Sequence, residues 1–186
     1  MARAVSGRDD VVARLAEVFR THGFEGASLA RIGAGTGLGK GSMYNFFPGG
    51  KEEMAQAVLT HIDGWFRSQI FEPLRTAIDS GAGVACMLDA VERYFQSGRS
   101  VCLLGVFALG HERTLFATTI RAYFTEWIEA LAAALVRGGH TQPAAIALSE
   151  EAVGAIQGAL VLARAADDPA LFTRALARLR VRLGAG

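Results

Sequence analysis

The residues of this chain that could do chemistry crowd into one segment, Ser28 to Lys51. Gly33, Gly35, Gly37, Gly39 and Gly41 alternate there, and Gly39-Lys40 has the look of a phosphate-cradling loop. Such a loop needs glycine, four residues, then Gly-Lys-Ser/Thr, whose hydroxyl holds magnesium. Here Ala34 stands at the first glycine and Gly41 at the hydroxyl position, and a helical pattern rather than a strand comes before. The dinucleotide pattern G-x-G-x-x-G also fails, because Leu38, Lys40 or Ser42 falls at its last position. A different chemistry fits the same stretch. Lys40 offers a charge, Ser42 and Tyr44 offer hydroxyls, and Asn45 offers an amide able to pair with an adenine edge. Gly41 has no side chain, so the backbone there can come close to a nucleic acid.

Other candidates are weaker. His111-Glu112 begins a zinc-protease pattern, but Leu115 sits where its second histidine belongs. His22, His61, His111 and His140 are scattered without ligand spacing. Cys86 and Cys102 read better as small buried hydrophobes than as a redox pair. No catalytic constellation, metal site or cofactor is expected.

The elements that position the segment read as helices. Val11, Val12, Leu15, Val18 and Phe19 recur at three- and four-residue steps, predicting a helix over residues 9–22 that Gly23 ends. Ser28 caps a second helix to about residue 34, Gly37 turns the chain, and a third helix covers 40–46. Leu29, Ile32 and Leu38 form the apolar joint, and Met43 and Phe47, four apart, turn the third helix inward. Two short helices joined by a tight glycine turn make a helix-turn-helix. Pro48-Gly49-Gly50 stops it. A long helix then starts near Lys51, and Pro73 is expected to kink or end it. Further helices are expected over 83–97, 114–136, 143–164 and 169–183, with 101–109 a short apolar helix or, alternatively, a buried strand. No alternating run of strand length and no repeat is present.

Hydrophobic residues make up 51% of the 186 residues and the formal charge is +1, which excludes a disordered chain. Both lysines, Lys40 and Lys51, lie in the first third, where cationic side chains outnumber acidic ones. No apolar leader region follows Met1, and the longest apolar stretch, 101–109, is broken by Gly105 and is under half the ~20 residues of a membrane span. A cytoplasmic protein is expected.

The head segment resembles the DNA-binding domain of the TetR/AcrR family of bacterial repressors over about residues 8–55. The resemblance is carried by Phe19 with Gly23-Phe24, by Ser28 and Ile32, by Gly37-Leu38, by Tyr44 to Phe47, and by Lys51-Glu52. The Phe-Pro-Gly-Gly-Lys loop is similar to the LmrA/YxaF-like branch. Three departures stand out. The loop from Phe47 to Lys51 is one residue longer than is usual, Gly39 replaces a Ser or Thr cap, and Arg31 takes the place of a capping-box Glu or Gln.

The resemblance implies an all-α, two-domain fold: a helix-turn-helix head over 1–47 and a ligand-binding and dimerisation body over 48–186. It implies a homodimeric repressor of pseudo-palindromic operator DNA, released by a small molecule. The expected DNA-contacting set is Ser28, Thr36, Lys40, Gly41, Ser42, Tyr44, Asn45 and Lys51. The body is rich in large apolar groups with few charges among them, which favours an apolar or aromatic effector near Trp65, Met87, Phe107, Tyr123, Trp127 and Gln157. Gly154 and Gly158, beside an apolar stripe, and the seam Phe172, Leu176, Leu179 suit helix pairing between two copies. The alternatives are a helical small-molecule-binding protein or enzyme with a vestigial head, and an architectural DNA protein.

Overall fold

The computed structural model describes residues 7–185. The first residues of the chain, where no leader is expected, lie outside that range. The described residues form helices α1 (Arg8–Gly26), α2 (Leu29–Thr36), α3 (Lys40–Phe46), α4 (Gly50–Phe66), α5 (Glu72–Thr76), α6 (Ser80–Tyr94), α7 (Leu103–Leu109), α8 (Arg113–Arg137), α9 (Gln142–Ala165) and α10 (Ala170–Arg182). No strand occurs among them, and the 101–109 stretch is helical from Leu103 on. The chain forms two compact units, one running through Asp63 with Leu103–Ile120 added, the other Gly64–Cys102 with Arg121 onward.

This division differs from a cut at residue 47. The first unit takes in most of α4, all of α7 and the start of α8, and its packing explains why. Phe24 sits 6.2 Å from Phe19, 5.9 Å from Phe107 and 5.5 Å from Phe116, centroid to centroid. A head of three short helices buries little apolar surface alone; α7 supplies Phe107 and Leu104, both fully buried, to complete its core. The link between α1 and this core is a break: Gly23 adopts φ 66° inside the helix and redirects the chain so that Phe24 turns inward.

The second unit is built round Phe66. Its ring lies 5.0 Å from Tyr123, 5.2 Å from Trp127 and 4.9 Å from Tyr94. Pro73 neither ends nor sharply breaks the long helix. A π-helical turn over Arg67–Phe71 precedes it, Glu72 N–H bonding back to Arg67 O, and helical geometry continues to Thr76. The wider turn takes up the disruption that a proline brings to an α-helical ladder. Glu126, mostly buried, holds both flanks of this turn, with Arg67 Nη1 at 3.0 Å and Arg75 Nη1 at 2.9 Å from Oε1. Asp79 caps α6, accepting from Gly81 N–H at 2.8 Å and Ala82 N–H at 3.2 Å.

α9 is long and apolar enough to cross a membrane by length and composition, a test that a core helix passes equally. Ala145, Ala152, Val153, Ile156, Ala159 and Leu160 are buried within the unit, which is the pattern of a bundle helix with one open side.

Glycines report how closely the helices approach. A Cβ on Gly35 of α2 would lie 2.3 Å from Val18 Cγ2 of α1, whereas one on Gly64 of α4 would meet nothing within 4 Å. Gly→Ala in a helix ordinarily gains about 1 kcal/mol. We therefore expect Gly64→Ala to stabilise the protein by up to that amount, and Gly35→Ala to destabilise it by about 1–3 kcal/mol through overpacking. Urea unfolding of the two variants checks the opposite signs.

Candidate nucleic-acid interface

The geometry of α3 is set before any partner arrives. Ser28 Oγ accepts from Arg31 N–H at 3.3 Å and starts α2. At its end Gly37 takes the left-handed conformation, φ 77° and ψ 10°, and its N–H bonds to Gly33 O. That conformation favours glycine and turns the chain sharply. The Thr36 hydroxyl, wholly buried, donates to Ile32 O at 2.7 Å and accepts from Leu38 N–H at 3.3 Å. Arg14 of α1 donates to Thr36 O at 3.2 Å. Thr36 is thus the lock of the turn, not a contact to DNA, and the expectation for it is corrected. A hydroxyl that fills both its roles inside the protein has nothing left to offer a phosphate.

Gly39 precedes α3 and starts it without a side-chain cap. Met43 and Phe47 are buried and fix one face of the helix inward. Lys40, Gly41, Ser42, Tyr44 and Asn45 are exposed. By the 3.6-residue period residues 41 and 45 fall opposite Met43, with 40 and 44 adjoining them on one flank. A Cβ at Gly41 would meet nothing within 4 Å, so the backbone there is open to close approach. The Tyr44 ring rests beside Gly50 at the start of α4, where an added Cβ would lie 3.9 Å from Tyr44 Cε1.

Lys51 behaves differently from its expectation. Its Nζ donates to Phe24 O at 3.1 Å, lies 4.3 Å from the Phe24 ring centroid, and is 3.8 Å from Glu25. The ammonium ties the start of α4 to the end of α1 and keeps part of its surface exposed. The start of α4 is tied a second way, through Gly49 N–H donating to Glu53 Oε2 at 2.7 Å.

Two arginines escape sequence reasoning. Arg14 is hidden among the apolar positions of α1. Arg31 reads only as the wrong residue for a capping box, yet its Nη1 donates to Gly26 O at 2.7 Å and closes the end of α1. An arginine just after a glycine-terminated helix is the signal for this role.

Residues 12–58 match the family described as bacterial regulatory proteins, tetR family, and residues 82–178 match the C-terminal domain of the LmrA/YxaF-like transcriptional regulators. The chain belongs to the TetR family, in its LmrA/YxaF-like branch. It is a DNA-binding transcriptional regulator. It is 24% identical over 165 residues to the HTH-type transcriptional regulator LmrA of Bacillus subtilis, covering 87% of this chain and 88% of that protein. It is 24% identical, again over 165 residues, to YxaF of the same bacterium, covering 87% of this chain and 86% of that protein. Among solved structures, a TetR regulator from Legionella pneumophila shares its fold, with TM-score 0.82 and 18% identity over 95% of this chain and 97% of that one. A TetR family regulator named CifR, complexed with 26 bp double-strand operator DNA, matches with TM-score 0.72 and 25% identity over 95% of this chain and 98% of that one.

In this TetR-family regulator the residues expected to line an effector site divide. Phe107 belongs to the core of the first unit, against Phe19 at 6.1 Å, and is corrected as a lining residue of the body. Met87, Tyr123 and Trp127 are fully buried in the second unit, where Trp127 Nε1 donates to Met87 Sδ at 3.5 Å. Trp65, half-buried, lies against Tyr94 with ring centroids 4.6 Å apart and the planes tilted by 39°. Gln157 is half-buried, and its Nε2 is buried with no hydrogen-bond partner among the described residues.

The residues expected at a dimer interface divide as well. Phe172, Leu176 and Leu179 are buried within the chain, Phe172 against Phe95 at 6.0 Å, so this seam is intramolecular and the expectation is corrected. Stepping by four and three serves a neighbouring helix of the same chain as well as one from a second. Gly154 and Gly158 face open space. Val161 and Leu162 of the same helix, and Val181 of α10, are 62%, 59% and 83% exposed, which is unusual for large apolar groups.

The separation of lock from contact gives a stability test. Thr36→Val removes the donor to Ile32 O and leaves Leu38 N–H without its acceptor, and is expected to cost about 1–3 kcal/mol. Lys40→Ala, on the exposed face, is expected to stay within about 0.5 kcal/mol of the parent. Chemical denaturation of both variants distinguishes the roles.

Proposed function

We propose that the protein is a homodimeric repressor that holds pseudo-palindromic operator DNA through α3 and lets go when a small apolar or aromatic effector occupies the body. The observation that carries this reading is the division of α3 into a buried face, Met43 with Phe47, and an exposed face of Lys40, Gly41, Tyr44 and Asn45. Such a helix is rigidly held and its outward groups match phosphates and base edges in a major groove. Lys40 and Tyr44 are assigned to phosphates and Asn45 to a base edge, with Ser42 and Gly41 allowing close approach. Ser28, exposed at the start of α2, is retained as a backbone contact. The operator-bound CifR structure supports the choice of duplex DNA as partner. The reading gives the protein no catalytic role and no membrane, and places it in the cytoplasm.

The effector role is assigned to the body around Trp65, Met87, Tyr123 and Trp127, where the aromatic surface favours an apolar or aromatic guest. The buried Gln157 amide is a donor that an acceptor on such a guest would satisfy. Release then requires the effector to bind a state that grips DNA less well, a coupling of two sites. Dimerisation is assigned to the open face of α9 with Gly154, Gly158, Val161 and Leu162, joined by Val181 of α10. Two copies of this face related by a two-fold axis would bury the apolar groups that the single chain leaves in water.

Two experiments test the reading. On a site chosen by selection from random duplexes, Lys40→Ala should lower affinity and reduce the slope of log K against log salt by about 0.9 for each phosphate no longer neutralised, or twice that for a dimer. Unchanged binding across salt concentrations would remove Lys40 from the interface. In sedimentation, Gly158→Leu should yield monomers or aggregates with helicity retained and operator binding abolished. An intact dimer would move the interface elsewhere.

A further inference from the structure

Three non-glycine residues among those described have left-handed backbone, Gln96 at φ 51°, Ser97 at φ 53° and Asp167 at φ 50°. Residues of these types adopt that conformation uncommonly, and it persists where surrounding structure enforces it. Gln96 and Ser97 lead directly into Gly98, φ 94°, where a Cβ would fall 2.7 Å from Phe172 Cβ and 3.0 Å from Pro169 O. The strap after α6 is therefore pressed against the turn between α9 and α10, which holds Asp167. Between strap and turn lies a concavity of about 300 Å³. Arg99 and Ser100 line it from the strap, and Arg164 and Asp167 from the α9 end.

The charges at this concavity are poorly matched inside the protein. Arg164 makes no side-chain hydrogen bond or ion pair among the described residues, and Arg99 reaches only Gln96 O at 3.4 Å. Asp167 lines the same space but pairs with neither arginine. The adjacent acid, Asp168, is already committed to Arg174 and to Ala170 N–H, each at 3.0 Å. By contrast Arg180 and Arg182 pair with Asp89 and Glu151. Two guanidiniums from different elements line one small concavity, and each carries the donor fork that suits a planar or tetrahedral oxyanion.

We propose that this concavity is a binding site for a small oxyanion, a carboxylate or a phosphate, gripped by Arg99 and Arg164, with Asp167 free to accept from a hydroxyl or ammonium group on the same molecule. It is distinct from the aromatic effector site and stands whether or not that assignment does. The test titrates the full-length protein with inorganic phosphate and with acetate at constant ionic strength, using chloride as the reference. The readouts are the arginine Nε–H resonances and thermal unfolding. Saturable shifts of the Arg99 and Arg164 resonances are expected with at least one anion, and which anion acts separates phosphate from carboxylate. The apparent affinity should fall at least tenfold in Arg99→Gln and in Arg164→Gln, and be unchanged in Arg182→Gln. Shifts that do not saturate, a rise in melting temperature that survives in the Arg99→Gln/Arg164→Gln double variant, or no response to either anion would overturn the proposal.

Discussion

The hydroxyl of Thr36 joins the end of α2 to the start of the turn that aims α3, by one bond given to Ile32 O and one received from Leu38 N–H. A recognition helix of seven residues has too few internal hydrogen bonds to hold its own direction. Its aim depends on what grips its two ends. Thr36, Gly37 and Arg14 fix the entry, and Met43 and Phe47 seat the inward face. With those in place the outward face needs no apolar groups and is free to carry a lysine, two hydroxyls and an amide.

The same economy appears at the scale of the units. The head does not finish at the loop after α3. It takes Phe107 and Phe116 from a later part of the chain, so four phenylalanines close one core. Helices α4 and α8 each have residues in both units. In α4 the helix continues past Phe66 through a π turn held on both flanks by Glu126. A π turn inside an α-helix often marks a functional position.

Much of this was legible in the residues. The order of helices followed from the three- and four-residue steps of apolar positions, and the turn from Gly37. The exposed face of α3 followed from placing Met43 and Phe47 inward. Other features were not legible, for physical reasons. Polarity alone does not say whether Thr36 points to water or into a turn, because its hydroxyl serves either. Lys51 reads as a free cation until the Phe24 carbonyl and ring are seen to lie beside it. Phe107 and Trp127 are alike in sequence as large apolar residues on helices; only the tertiary path of α7 sends one to the head and leaves the other in the body. The steps from Phe172 to Leu179 describe a seam, and a seam does not name the chain that fills it.

Reading of base edges by α3 in a major groove is the central claim, and chemical footprinting tests it most directly. The measurement uses the full-length protein on a duplex selected from random sequence. Two-fold pairing of the heads predicts protection of purine N7 positions in two major-groove patches on one face of the duplex. Their centres should be about 34–36 Å apart or a multiple of that spacing, with protection at a defined base pair abolished in Asn45→Ala. Even protection along the backbone with no preferred sequence, unchanged by Asn45→Ala, would contradict it.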